Sequence, residues 1–571
     1  MTTPCAHLIR VARGEAPADL LLRNARLVNV FTGRIESTDV ALAGGRVAGF
    51  GDYRAERVLD LRGRYLAPGF IDAHVHLESA MVSPAQFARA VLPHGTTAVV
   101  ADPHEIANVL GLSGLDYMFA ASADQPFSFY FTLSSCVPAT HMETSGARLS
   151  AADLAPLMKD PRVVGLAEVM NFPGVIAADP EVLAKIAGMR ALGKAVDGHA
   201  PGLGGKALCA YLAAGIGSDH ECSTLAEARE KLAAGMHIMV REGTAARNLD
   251  ALLPLVDAQT AQRMMWCSDD RHPQDLLAEG HIDSILRRAV AQGLDPVTAI
   301  RMATLTPAEY FRLPGLGGVA PGRRADLVVL DDLARPTVRQ VFVAGQLVAE
   351  EGELVAGLSF PATPKAPTSM RVPLDRLDFR LPAAGERLRV IEASPEQLTT
   401  GAGSATPCVR NGLAVADPAR DLLKLVVVER HRGSGATGIT FIRGFGLKRG
   451  ALASTVAHDS HNIVAVGTSD AELLLAVKSL VAGGGGMVAV AAGEVLARVD
   501  LPIAGLMTDQ PVEVVRDRFQ ALVAAARTLG ATLPDPFMTL GFMALPVIPS
   551  LKLTDQGLVD VERFEIVSPF C

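Results

Sequence analysis

The stretch Gly69-Phe70-Ile71-Asp72-Ala73-His74-Val75-His76 decides how the rest of the chain is read. Phe70 and Ile71 make it an apolar, buried strand, and it ends in two histidines one residue apart. Alternate side chains of a strand point the same way. His74 and His76 therefore project together from one strand end, as two neutral nitrogens converging on a metal need to do. Such a pair standing alone is as easily two unrelated histidines beside a turn. The surrounding chain decides between the two.

Working outward, short apolar runs alternate with helical stretches from Tyr65 onward. Eight candidate strands end near His76, Asp102, Ser135, Val169, His199, His220, Arg241 and Asp270. Their ends lie roughly 20 to 35 residues apart, the size of a strand-plus-helix unit. The reading is an α/β chain with a (β/α)8 TIM-type barrel over 65–311, whose site lies at the C-terminal strand ends. A doubly wound open sheet is the alternative, but it does not easily bring the first and last strand ends to one site. Before the barrel, short alternating strands such as Leu20-Leu22, Arg26-Val30, Val40-Ala43 and Arg46-Phe50 form a small β unit. Strands return after Gly322, in Leu327-Leu330 and Val338-Val343. They complete a discontinuous β-sandwich domain, 1–64 with 312–362, into which the barrel is inserted. Pro-rich Phe360 to Pro373 reads as a linker. The last region, 374–571, reads as an α+β domain with a strand at Leu423-Val428 and a helix at Ala471-Leu480.

Composition narrows the function. The chain has 571 residues, too many for one core, with 49% apolar and 20% charged residues and a net charge of -8. No Lys/Arg run supports a nucleic-acid partner. No apolar stretch reaches membrane-spanning length and no signal-peptide core opens the chain, so the expectation is a cytoplasmic protein without membrane contact. The seven cysteines are scattered without a C-x-x-C, which argues against a disulfide framework and a thiolate zinc site.

At the expected strand ends stand His74, His76, Asp102, His104, Glu105, Glu168, His199, His220, Asp269 and Asp270. With only 14 histidines in the chain, their joint placement at strand ends outweighs the reading of each as an isolated core histidine. Histidines and carboxylates without thiolates suit Mn(II), Fe(II) or Zn(II).

The opening strand Pro68 to His76 resembles that of the amidohydrolase superfamily, and Gly322 to Val329 resembles its closing β segment. His76-Leu77-Glu78-Ser79, Ala101 to Gly111, Ala167 to Val175 and Ala457 to Asn462 together resemble the adenine deaminase branch of that superfamily, over nearly the whole chain. The resemblance implies hydrolytic deamination of adenine to hypoxanthine and ammonia by a metal-activated hydroxide. It implies two divalent metal ions per subunit, Mn(II) or Fe(II) ahead of Zn(II), and a homo-oligomer, dimer or higher. Carried over by position, His74 and His76 hold one metal and His199 and His220 the other. Glu168 bridges them, and Asp269 is the strand-eight acid that moves the proton. Glu78, His104, Glu105, His237 and His458 are candidates for contacts to the purine ring. Hydantoinase-like and dihydroorotase-like members carry a carbamylated lysine on strand four. Val163-Asn171 contains none, which counts against a cyclic-amide hydrolase.

Asp270 is expected to pair with Arg271, and Gly483-Gly486 to form a turn, since no Lys-Ser/Thr follows it. The competing functions are a cyclic-amide hydrolase or deaminase of another base on the same barrel, and a non-catalytic metal-binding scaffold.

Overall fold

The structure, a computed structural model, describes residues 4–395 and 399–571. Its centre is eight parallel strands: β1 (Phe70–Val75), β2 (Thr96–Ala101), β3 (Ser128–Leu133), β4 (Val163–Val169), β5 (Ala195–Gly198), β6 (Ser218–Asp219), β7 (His237–Arg241) and β8 (Met264–Cys267). They hydrogen-bond in two curled pieces, β1 to β5 in chain order and β6 to β8 in chain order. At one seam the Gly217 amide donates to the Val196 carbonyl at 2.9 Å. At the other the Asp269 amide donates to the His74 carbonyl at 3.0 Å, and the His76 amide to the Asp269 carbonyl at 3.3 Å.

Side-chain alternation sorts these strands into two layers. Ile238, Val240, Met264 and Trp266 pack outward among the helices Ile282–Ala291 and Pro296–Met302. The intervening Met239, Met265 and Cys267 join Ile71, Ala98, Val100 and Val164 in a separate cluster. The two apolar faces of each strand explain why these segments read as continuous hydrophobic runs. Gly69, at the entry to β1, is fixed by packing: a Cβ there would stand 2.2 Å from Thr97 Oγ1.

Of the β segments flanking this centre, Leu327–Leu330 pairs antiparallel with Tyr65–Pro68. Two details differ from the sequence reading. Tyr65–Pro68, assigned there to the barrel, belongs to this outer sheet. The nine strands of this outer domain share one continuous hydrogen-bonded network and not two separate ones. The reason is the long strand Ala18–Asn29. It pairs with Ala55–Asp60 through its first half and with Tyr65–Pro68 through its second, either side of a register shift between Leu22 and Ala25.

The C-terminal region is built on an eight-stranded sheet that includes Leu423–Val428, with the helix Asp470–Gly483 against it. Gly484 ends that helix in the left-handed region at φ 77°, so the glycine run is a helix stop. Helix Val512–Thr528 and a three-stranded sheet, Leu551–Val567, complete it. No helix among the described residues is long and apolar enough to cross a membrane.

Candidate metal centre

The strand ends converge. His74 Nε2 and His76 Nε2 lie 3.1 Å apart. Asp269 Oδ1 stands 3.4 Å from the first and 3.2 Å from the second. Glu168, at the end of β4, reaches both sides of the cluster. Its Oε1 is 3.4 Å from His76 Nε2, and its Oε2 is 2.7 Å from His199 Nδ1 and 3.2 Å from His220 Nε2. The His74 and His220 rings stack at 4.4 Å. His74, His76, Glu168, His220 and Asp269 are each at most 4% exposed.

The donor set fits a pair of cations. His76 Nδ1 donates to the Asp102 carbonyl at 3.1 Å, because a carbonyl can only accept. A neutral His76 then aims a bare Nε2 at another ring nitrogen and two carboxylate oxygens. These four lone-pair atoms repel one another unless a positive charge lies among them. Buried charges need such pairing. Burial would raise Glu168, but its hydrogen bonds to His199 and His220 and their charges hold it well below the usual carboxylate range. Burial likewise opposes ionisation of Asp269, and the Arg241 charge beside it overcomes it. Both acids are therefore held as anions.

Two residues of the cluster were missed by sequence reasoning. Arg241, the last residue of β7, donates to Asp269 Oδ2 at 2.9 Å and to Glu221 Oε2 at 3.1 Å. Glu221 Oε1 also stands 3.4 Å from His220 Nε2 and 3.5 Å from His199 Nδ1. Arg241 ends an apolar strand and Glu221 follows the short polar strand β6, and neither position announces its partner.

The candidate ring-contact residues divide. His104 is tied by Nδ1 to Asp102 Oδ2 at 3.0 Å, and its Nε2 lies 4.0 Å from Asp459 Oδ1. Glu105 and His458 meet at 3.2 Å, and the His458 ring stacks on Phe542 at 4.8 Å. Glu78 Oε1 accepts from the Ile106 amide at 3.2 Å, holding the start of the helix that carries Glu105. His237 is the exception. It opens β7, at the end opposite Arg241, and rests 4.6 Å from the Tyr310 ring. Burial and the Arg263 charge pull it down to about 4, so it is a neutral packing residue outside the cluster. The Asp270–Arg271 pair is also absent: Asp270 accepts from Ser79 Oγ at 2.5 Å, while Arg271 pairs with Glu279 at 2.8 Å. The reason is direction, since neighbouring residues at a strand end face opposite ways.

One cavity of about 1320 Å³ opens on Glu168, His199, His220, Asp269, Glu105 and His458. Its walls thus come from both the parallel strands and the C-terminal region.

Comparison with known proteins agrees with this arrangement. Residues 65–348 match the amidohydrolase family, and residues 397–565 match the adenine deaminase C-terminal domain. The chain is 54% identical over 567 residues to an adenine deaminase of Desulfatibacillum aliphaticivorans, covering 99% of each chain. It is 50% identical to one from Dehalococcoides mccartyi and 49% identical to one from Methanothrix thermoacetophila, again over 99% of each chain. Among solved structures it is similar to a beta-aspartyl dipeptidase from Fervidobacterium islandicum AW-1, with TM-score 0.46 and 17% identity over 60% of this chain and 99% of that one. With a cluster of this composition and relatives of this identity along its whole length, the chain belongs to the adenine deaminase family of the amidohydrolases.

Proposed function

We propose that this chain hydrolyses adenine to hypoxanthine and ammonia, within purine salvage or catabolism, using two divalent cations. The observation that carries the reading is Glu168, whose two oxygens face histidines of opposite sides of the cluster. In this reading His74, His76 and Asp269 would hold one cation and His199 and His220 the other, with Glu168 placed to serve both. Nitrogen and oxygen donors alone suit Mn(II), Fe(II) or Zn(II). The hydrogen bonds at both seams support reading the two parallel pieces as one closed (β/α)8 barrel. That barrel interrupts the outer β domain and is followed by the C-terminal α+β domain.

Bound there, the cations supply the Lewis acidity that makes water a nucleophile at neutral pH. The chain's own residues do the rest. Asp269 takes a proton from the attacking water as the bond to C6 forms, and gives it to the exocyclic amine as the C6–N bond breaks. Arg241 occupies Asp269 Oδ2, so Oδ1 is the oxygen left to face the reaction. His104, oriented by Asp102, and Glu105 and His458 face the ring from the cavity wall.

The test is ammonia release by purified chain reconstituted separately with Mn(II), Fe(II) and Zn(II). The expected result is stoichiometric hypoxanthine from adenine, with hydantoin and dihydroorotate untouched. Turnover of a cyclic amide with none of adenine would overturn the proposal.

A further inference from the structure

Glu105 stands apart from the metal cluster in one respect. It is fully buried, it borders the cavity, and neither carboxyl oxygen has a hydrogen-bond partner. Buried polar atoms left without partners are rare in native proteins. Two histidines of the C-terminal region flank it: His458 Nδ1 is 3.2 Å from Oε1, and His461 Nε2 is 3.9 Å from Oε2. His461 Nε2 is also buried and unpartnered. Its protonation follows from its other nitrogen. The Ala457 amide donates to His461 Nδ1 at 3.1 Å, so in the neutral ring the proton sits on Nε2, directed at Glu105. That proton makes the Glu105–His458–His461 group a poor cation site, since Nε2 has no lone pair to offer. It leaves an unpartnered acceptor, Glu105, at the cavity wall and backed by a donor.

Adenine has two kinds of N–H. The exocyclic amine is the group that leaves and must face the cations. The remaining donor is the imidazole N–H, which a free base carries and an N9-substituted nucleoside lacks. A carboxyl accepts from that N–H whether or not it is itself protonated. We infer that Glu105 is the residue that reads the imidazole N–H of the free base, and that His461 is a positioning residue holding its carboxyl from the C-terminal side. This rests on the adenine reading above. It makes the C-terminal region part of substrate selection, because the loop Ala457 to Asn462 is fastened to the barrel side through Asn462 Nδ2, which donates to the Thr144 carbonyl at 2.9 Å.

The experiment compares kcat/KM for adenine and 9-methyladenine in the Mn(II)-loaded full chain and its variants. A site built around one hydrogen bond rejects the analogue lacking it by ~10³-fold or more. The intact chain should show that ratio. In Glu105→Ala the ratio should collapse to within ~10-fold, with the loss for adenine falling mainly on KM. Glu105→Gln keeps a carbonyl acceptor and should retain most of the ratio. His461→Ala should lower the ratio part-way, which a merely structural role would not do, since it would slow both bases alike. An unchanged ratio in Glu105→Ala, with adenine still turned over by the intact chain, overturns this inference and leaves the proposed function standing. No adenine turnover by the intact chain removes both. A third Mn(II) per chain that is lost in His461→Ala also overturns it, by making the group a cation site.

Discussion

At the scale of single residues, the site is organised by which atoms lack a proton. His76 spends its Nδ1–H on Asp102 and so presents a bare nitrogen to the cluster. Asp269 has one oxygen on Arg241 and the other on the histidines. Asp269→Asn keeps the shape but cannot carry the proton, and should lower kcat by about 10²- to 10⁴-fold. Turnover within a few-fold of the parent in a steady-state assay would remove its role. Arg241→Met leaves buried Asp269 and half-buried Glu221 without their shared counter-charge. It should destabilise the metal-free chain by about 3–5 kcal/mol, read from its denaturant midpoint. Glu143 gives a pH prediction. Burial, reinforced by the Asp459 charge, pushes it up to about 8 from an ordinary value of 4.5. The folded chain thus keeps a proton that the unfolded chain releases near 4.5. The Glu143 contribution is fully present below 4.5 and is lost as pH rises through about 8. Glu143→Gln should flatten the fall in Tm over that window, and parallel Tm curves for the two proteins would contradict it. Most of this site was legible because His74, His76, Glu168, His199, His220 and Asp269 all stand at or beside the ends of the expected strands. Arg241 and Glu221 were not, because a charged strand end gives no sign of which partner it will find.

At the scale of elements, strand ends were readable and strand partners were not. The expected ends fall within three residues of the observed ones, because most of these runs are largely apolar and stop where polar residues begin. The two-residue β6 and the pairing of Tyr65–Pro68 depend on tertiary hydrogen bonds that no local pattern encodes. Asp72 is the clearest case. It lies in the opening motif, yet its work is across the seam: Oδ1 accepts from the His74 and Ser268 amides, while Oδ2 accepts from Ser268 Oγ at 2.5 Å and lies 3.0 Å from His281 Nε2. It ties β1 to the end of β8. Asp72→Ala should cost about 2–4 kcal/mol by chemical denaturation and weaken Mn(II) binding, since both strand ends lose their brace. Unchanged stability would mean the seam holds without it.

At the scale of the whole molecule, the C-terminal region completes the site. Thr554 Oγ1 donates to the Met142 carbonyl at 2.7 Å, the Thr144 amide donates to Asp555 at 2.8 Å, and Phe542 carries the His458 ring. The two hydrogen bonds cross more than 400 residues of sequence, which is why the sequence could suggest a third domain without saying what it touched. Cleavage at a protease site inserted in the mostly exposed segment 361–368 should leave both halves co-eluting, with adenine turnover within about threefold. Separation of the halves on size exclusion would contradict this packing. The central claim is that distant strand ends meet around one catalytic cation pair. Its most direct test is a Mn(II) titration of the metal-free chain, following hypoxanthine formed from adenine against metal bound. The account predicts turnover that rises with occupancy and levels off at two Mn(II) per chain. Full occupancy with adenine left intact, or turnover independent of added metal, would contradict it.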